Sequence, residues 1–192
     1  MGAIQKLPLD YKKIYSVNLQ KDKKTAIIIN GLSLLIGAVM VISMNFFVPF
    51  SSIFNMEKGL GNYLIKFLVL MVSCVIYMCL HELVHGITMK FFGTKKVKYG
   101  FTGLYAFAGS DDYYDKKSYI TIGLAPIVVF LFVFAVINMI VPQEWFWVVY
   151  LLQVMNIAGA AGDLFVTVKF AKMPKDILVK DSGIGMTVYA KS

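Results

Sequence analysis

Four long runs of apolar residues divide the chain. About 20 consecutive apolar residues are needed to cross the hydrocarbon core of a bilayer, and each run reaches that length. Backbone groups in lipid must bond within their own segment, which favours helices. The pattern therefore predicts four transmembrane helices, although a soluble bundle of very apolar helices is the alternative. The runs are Thr25–Phe50, Gly61–Phe92, Tyr119–Val141 and Trp145–Val168.

A different pattern occupies the longest stretch between these runs. Val97–Ala108 alternates roughly between polar and apolar positions and is rich in Tyr, Phe and Gly, with Gly100 and Gly103 as turn or bulge candidates. Such alternation favours a β-hairpin over a helix. The predicted fold is an all-α membrane protein of four transmembrane helices with a small β-hairpin between the second and third. Met186–Ala190 is a candidate short strand in the tail.

The distribution of lysines predicts the orientation. The chain has 192 residues, is 58% hydrophobic and carries a net charge of +8, whereas soluble domains average about 45–50% apolar residues. Seventeen of the 19 basic residues, all lysines, lie before the first run, between the second and third, or after the fourth. Lysines favour the cytoplasmic side. We therefore expect a multi-pass cell-membrane protein with both termini cytoplasmic and the lipid bilayer as its surroundings.

These lysines flank apolar runs and accompany no nucleic-acid-binding pattern, so nucleic acid is not an expected partner. The predicted divisions are a cytoplasmic N-terminal segment at 1–24, a four-span core at 25–171 and a cytoplasmic tail at 172–192. No short apolar segment with a cleavage site follows the polar N-terminus, so no removable signal peptide is expected. The sequence leaves the oligomeric state open.

One motif in the second run carries candidate chemistry. His81-Glu82-Leu83-Val84-His85 is an H-E-x-x-H sequence, and it contains both histidines of the chain. Residues four apart lie on one face of a helix, so the two imidazoles can hold one metal ion while Glu82 reaches its water. Ionisable groups are expensive inside a membrane and usually functional. The alternative is a buried histidine pair that packs with Glu82 and binds no metal.

A catalytic zinc usually has three protein ligands. With no further histidine in the chain, a carboxylate should complete the site, and Asp163 is the acid inside another apolar run. His85 precedes Lys90 by five residues and Asp163 precedes Lys169 by six, so both should lie at similar depth. The prediction is one Zn²⁺ bound by the two histidines and Asp163. Pairing of Asp163 with a loop lysine is the alternative.

The segment before Asp163 is rich in small residues, which allow close helix approach. Asn156 precedes Asp163 by seven residues and should share nearly the same helix face. Its amide can bind substrate backbone or the oxyanion of the reaction. A hydrogen bond between helices is an equally good interpretation of Asn156.

These residues resemble the site-2 protease group of intramembrane zinc metalloproteases and, more closely, small bacterial membrane families of zincin peptidases. His81, Glu82, His85, Asn156 and Asp163 match the group's elements in type and order. The Gly123–Pro126 sequence GLAP is similar to the group's Gly-Pro element. The prolines and the glycine that usually accompany the group's aspartate are missing here, which bears on the substrate more than on the metal.

The resemblance implies that the hairpin holds substrate as an added strand, with Tyr99, Phe101 and Gly103 as contacts. The expected function is hydrolysis of a membrane-associated or transmembrane peptide near the cytoplasmic face, with Glu82 as general base. A zinc-stabilised membrane scaffold or peptide-transport accessory without hydrolysis is the alternative. A metal transporter would need more ligating side chains than this chain offers.

Overall fold

The computed structural model describes residues 2–18, 21–103 and 105–192. It contains four helical segments long and apolar enough to cross a membrane, as the hydropathy pattern predicts. Helices α1, α2 and α3 are each continuous, and the fourth segment consists of two helices, α4 and α5. Their bounds are Lys23–Asn45, Gly59–Phe91, Lys116–Ile140, Phe146–Gly159 and Ala161–Ala171.

The helix ends follow local chemistry. Asp22 caps α1, accepting hydrogen bonds from the Thr25 amide at 3.1 Å and the Thr25 hydroxyl at 2.6 Å. These hydrogen bonds lower the pKa of Asp22. The predicted first run extended to Phe50, but α1 ends at Asn45. Pro49 cannot donate a helical hydrogen bond, and a 3₁₀ turn begins at Phe50.

The fourth segment is interrupted at Ala160, whose backbone dihedrals of −82° and 17° leave the α-helical region. Gly159 and Gly162 flank this position, and glycine weakens a helix by about 1 kcal/mol relative to alanine. The small residues that the sequence assigned to close packing therefore also mark a helix break. Asp163 falls in the first turn of α5.

The expectation of an all-α fold with one hairpin was incomplete. The described residues form six strands in two sheets. The larger sheet is antiparallel with the order β1-β6-β5-β4. The segments before α1 and after α5 build most of this sheet, and Met186–Ala190 lies in its strand β6 as predicted. The strands are Tyr11–Asn18 (β1), Tyr113–Asp115 (β4), Leu178–Asp181 (β5) and Gly185–Lys191 (β6).

The predicted hairpin between the second and third long helices is present. Its strands β2 (Lys98–Phe101) and β3 (Ala106–Gly109) pair antiparallel, with Tyr99 opposite Ala108 and Phe101 opposite Ala106. Gly103 lies in the turn at a φ of +87°, a conformation that favours glycine. Leu104, inside the predicted hairpin, is outside the described residues.

The chain divides into two compact units. Unit 1 comprises Met1–Ile29, Cys79–Pro126 and Gly162–Ser192, and unit 2 comprises Asn30–Met78 and Ile127–Ala161. Unit 1 contains both sheets, all of α5 except its first residue Ala161, and one end each of α1, α2 and α3. Its core joins these helices to the larger sheet. The core residues are Met89, Tyr114, Tyr119, Ile122, Val166, Phe170, Ile177, Val179 and Val188.

Unit 2 is helical among its described residues and is organised around aromatic side chains. Tyr77 packs against Phe130 and Phe134, with ring centroids 5.2 and 5.6 Å away. Trp147 is 1% exposed, and its indole nitrogen donates to the Pro49 carbonyl at 3.0 Å. This hydrogen bond gives the only polar atom of the large, buried indole ring a partner.

Candidate metal centre

The candidate site lies within unit 1, where one face of α2 meets the start of α5. His81 and His85 are one helical turn apart, and their ring centroids are separated by 4.8 Å with nearly perpendicular planes. Asp163 faces both rings. Its Oδ2 lies 3.5 Å from His81 Nε2, and its Oδ1 lies 3.7 Å from His85 Nε2. One ligating atom from each residue lies within 4.8 Å of the other two.

The exposure of these side chains differs. The imidazoles of His81 and His85 are 11% and 10% exposed, whereas the carboxylate side chain of Asp163 is 29% exposed. The histidines are therefore held by the surrounding protein, and the opening of the cluster is on the side of Asp163. Such an opening is needed by a catalytic site, which keeps one coordination position for water or substrate.

A hydrogen bond to α3 fixes the ring of His85. Its Nδ1 lies 2.9 Å from the backbone carbonyl of Ile122. A carbonyl oxygen only accepts, so Nδ1 must carry the proton, and in neutral imidazole this leaves the lone pair on Nε2. Nε2 faces Asp163. Metal-ligating histidines almost always have such a partner on their other ring nitrogen.

The separations within the cluster suit a bound zinc ion. Zinc bonds to nitrogen and oxygen are about 2.0–2.2 Å, so ligating atoms of a tetrahedral site lie roughly 3.4 Å apart. The separations of 3.5 Å to Oδ2 and 3.7 Å to Oδ1 of Asp163 are close to this value, and one ligating atom from each of the three residues lies within 4.8 Å of the others. The two separations to Asp163 exceed the 2.7–2.9 Å typical of a direct charge-assisted hydrogen bond. His81, His85 and Asp163 are thus the residues that could hold the metal.

Glu82 is connected to the hairpin. Its carboxylate accepts a hydrogen bond from the backbone N–H of Ala108 in β3. Because that N–H points away from β2, the outer edge of β3 faces Glu82. The sequence predicted both the hairpin and Glu82 but not their contact. The order of hairpin and helix along the chain gives no signal for it.

The predicted substrate contacts in the hairpin lie at its surface. Tyr99 is 50% exposed and Phe101 is 67% exposed. Tyr99 packs its hydroxyl end against Gly86, where a Cβ atom would collide with the ring. The glycine that follows His85 therefore admits the hairpin to the surface of α2. Substrate contact by Tyr99, Phe101 and Gly103 stays a prediction.

Asn156 belongs to unit 2, and both ends of its amide are engaged there. Its Oδ1 accepts from the Tyr77 hydroxyl at 3.0 Å, and its Nδ2 donates to the Ile127 carbonyl at 3.0 Å. Asn156 is fully buried. These bonds favour the interpretation of Asn156 as a link between helices. Its predicted role with substrate stays a prediction.

Two further side chains of unit 1 interact with the cluster. Tyr119 donates a hydrogen bond to Asp181 at 2.5 Å, and the Asp181 carboxylate interacts electrostatically with His85 and Asp163. Burial raises the pKa of Asp181. Sequence reasoning missed this pair because Asp181 comes from the tail, which joins the site only through strand β5.

An H-E-x-x-H helix face completed by a carboxylate defines the class: a metallopeptidase site of the zincin type. The family profile described as "Putative zincin peptidase" matches residues 74–178, which is more than half of the chain and includes every residue of the cluster. The chain belongs to this zincin peptidase family.

The chain is also similar to a curated protein whose printed name gives no activity. The chain is 31% identical over 166 residues to the "Uncharacterized 24.7 kDa protein in gap 5'region" of Pyrococcus woesei. That similarity covers 84% of this chain and 68% of the relative. No solved structure matches the chain.

Proposed function

We propose that this protein is a zinc metallopeptidase embedded in the cell membrane, hydrolysing a membrane-associated or transmembrane peptide near the cytoplasmic face. The observation that carries the proposal is the convergence of His81, His85 and Asp163, whose ligating atoms lie within 4.8 Å of one another. Membership in the zincin peptidase family supports the chemistry. The site-2 protease resemblance of the sequence adds the intramembrane setting.

In this proposal, His81, His85 and Asp163 hold one zinc ion. Bound zinc supplies a water whose pKa is lowered to about 7 and a positive charge for the scissile carbonyl. Glu82 accepts the proton of the attacking water and passes it to the amine as the peptide C–N bond breaks. Ala108 orients the Glu82 carboxylate through its backbone N–H.

The hairpin provides a way to hold an extended substrate. A peptide strand laid along the outer edge of β3 at Ala106 would lie beside Glu82. Ala106 and Ala108 have the same backbone orientation in the strand, so the N–H of Ala106 also points away from β2. An added strand exposes its carbonyls, whereas a helical substrate would keep them in its own hydrogen bonds.

The membrane setting is supported by the surfaces of the helices. Only 6% of the apolar window of α1 and 11% of that of α2 are buried within the protein. Leu34 of α1 is 76% exposed and Leu68 of α2 is 63% exposed. Soluble monomers rarely present contiguous apolar surfaces of this kind, and lipid would cover them.

The proposed orientation has both termini in the cytoplasm. The lysine distribution supports it. The pairing of β1 with β6, which joins the two terminal segments in one sheet, supports a common side for both termini. Single-cysteine variants Lys13→Cys and Lys58→Cys, made after replacing Cys74 and Cys79 by serine, test it. An impermeant thiol reagent applied to intact cells should label Lys58→Cys only. Labelling of Lys13→Cys instead would reverse the orientation.

The central experiment compares wild type with Glu82→Gln on a library of membrane peptides. Glutamine keeps the shape of the side chain but cannot serve as general base, so cleavage should be lost. Bound zinc, measured on the same samples, should stay at one ion per chain. Retained turnover in Glu82→Gln would refute the catalytic role. Zinc without any cleavage by wild type would support the non-catalytic scaffold.

A matched pair of variants tests the substrate strand. Ala106→Pro removes the outward N–H of β3, while Ala106→Val keeps it. Proline is tolerated where no ladder hydrogen bond is lost. If the substrate pairs with β3, KM should rise in Ala106→Pro only, with zinc content unchanged in both. Equal KM values in the two variants would remove β3 from substrate binding.

A further inference from the structure

Pro126 interrupts the hydrogen bonding of α3 at a specific carbonyl. In an α-helix the carbonyl of residue i accepts a hydrogen bond from the N–H of residue i+4. A residue with an N–H at position 126 would therefore donate to the Ile122 carbonyl. Proline has no N–H, and its ring crowds the carbonyl four residues earlier. Pro126 lies inside α3 and is among the most fully buried side chains.

The carbonyl released by Pro126 is the one that binds His85. Ile122 is 2% exposed, and a buried carbonyl without a partner is costly. His85 Nδ1 provides that partner at 2.9 Å. Pro126 leaves the Ile122 carbonyl without a helical donor, and the Nδ1–H of His85 donates to that carbonyl instead.

We propose that Pro126 is a positioning residue of the metal centre, which frees the Ile122 carbonyl to hold the His85 ring with Nε2 directed at Asp163. The inference rests on the proposed zinc site. It explains the proline of the GLAP segment by hydrogen bonding, where the sequence offered only a resemblance. Pro126 acts through Ile122 and His85 and needs no contact with substrate.

A residue with an N–H at position 126 would compete for the same oxygen and draw it back toward the helix axis. His85 would then lose its fixed orientation. Loss of an outer partner of a ligating histidine typically lowers metal affinity by about 10- to 100-fold. Pro126→Ala should therefore weaken zinc and cobalt binding by that factor in the full-length protein.

A backbone ester provides the matched control. Lactic acid incorporated at position 126 has the side chain of alanine but an ester oxygen in place of the N–H. It should fold and bind zinc as wild type does, because the Ile122 carbonyl stays available. Pro142→Ala, at the proline preceding the second 3₁₀ turn, is expected to leave zinc affinity unchanged. Affinities are measured by chelator competition on protein purified in detergent.

The tautomer of His85 gives a readout that is independent of metal. In metal-free wild type, ¹⁵N NMR at a pH where the His85 ring is neutral should show the proton on Nδ1, and the lactic acid variant should match it. Pro126→Ala should show a mixture of tautomers. If wild type binds no zinc, the proposed function fails while this measurement still decides the role of Pro126.

Three results would overturn the inference. The first is equal zinc affinity and the same tautomer in wild type and Pro126→Ala. The second is an equal loss in Pro126→Ala and the lactic acid variant, which would assign the effect to the proline ring rather than to the missing N–H. The third applies even if Pro126→Ala does not fold: a lactic acid variant that folds but binds zinc weakly.

Discussion

Each of the two compact units contains a polar cluster that uses a backbone carbonyl of α3. In unit 2, Tyr77 donates to Asn156, and Asn156 donates to the Ile127 carbonyl, both at 3.0 Å. In unit 1, His85 donates to the Ile122 carbonyl at 2.9 Å, but its other nitrogen faces Asp163 across 3.7 Å. The first cluster forms a chain of direct hydrogen bonds, and the second leaves a gap between ligating atoms.

This difference distinguishes packing from chemistry. A donor paired with an acceptor stabilises the contact between helices and needs nothing else. A nitrogen lone pair directed at a carboxylate is unfavourable unless a proton or cation lies between them. The unit 1 cluster therefore takes up a proton or a metal cation between its side chains, whereas the unit 2 cluster has the arrangement of a structural link. Variants of the two clusters should separate these roles.

The largest effect is expected from the ligands. His81→Ala, His85→Ala and Asp163→Ala should each lower zinc affinity by more than the roughly 100-fold limit for losing an outer partner. The reason is that each removes one of three proposed zinc ligands. Zinc per chain is measured by elemental analysis after purification, with affinity from chelator competition. If Asp163→Ala binds zinc as tightly as wild type does, Asp163 is not the third ligand.

A smaller effect is expected from the link in unit 2. Asn156→Leu should lower the free energy of unfolding by about 1–2 kcal/mol, because a buried donor and a buried acceptor lose their partner. Zinc affinity should be unchanged. Reversible denaturation in mixed micelles measures the free energy of unfolding. The turnover rate of folded, fully zinc-loaded protein is a second test. A large fall in this rate would assign Asn156 to substrate binding instead.

The smallest effect is expected at an exposed ion pair of unit 1. Lys98 Nζ lies 2.6 Å from Asp111 Oδ2, and this hydrogen bond lowers the pKa of Asp111. A carboxylate whose pKa is lower in the folded state stabilises that state at pH values above the unfolded-state pKa. This stabilisation is lost as the pH falls through the folded-state pKa. Lys98→Met should raise the Asp111 pKa toward 3.8 in an NMR titration. An unchanged pKa would show that the pair does not persist in solution.

The larger sheet shows where local pattern fails to predict structure. Strand β1 has three consecutive exposed positions, Lys12, Lys13 and Ile14, and its partner β6 lies at the other end of the chain. Ser16 and Thr187, which face each other across the two strands, are 171 residues apart in sequence. Strand preference depends on the neighbours that a residue meets in the sheet. The N-terminal segment therefore gave no strand prediction, and the tail gave only the short candidate at Met186–Ala190, which lies in β6.

Pro126 shows the opposite case, in which a local signal was present. A proline inside a predicted helix identifies the carbonyl four residues earlier as one without a helical partner. The sequence thus nominates Ile122 as an acceptor. It does not nominate His85 as the donor, because that contact depends on how α2 packs beside α3.

The sequence by itself determined the features that depend on composition and near neighbours. The length of the apolar runs predicted the four long helices, and the four-residue spacing of His81 and His85 placed both imidazoles on one helix face. Only the tertiary structure decided which groups from distant segments meet: Asp163 with the two rings, Ile122 with His85, and Ala108 with Glu82. Helix formation is governed by residues within a turn or two, whereas these contacts exist only after packing has closed the long loops between them.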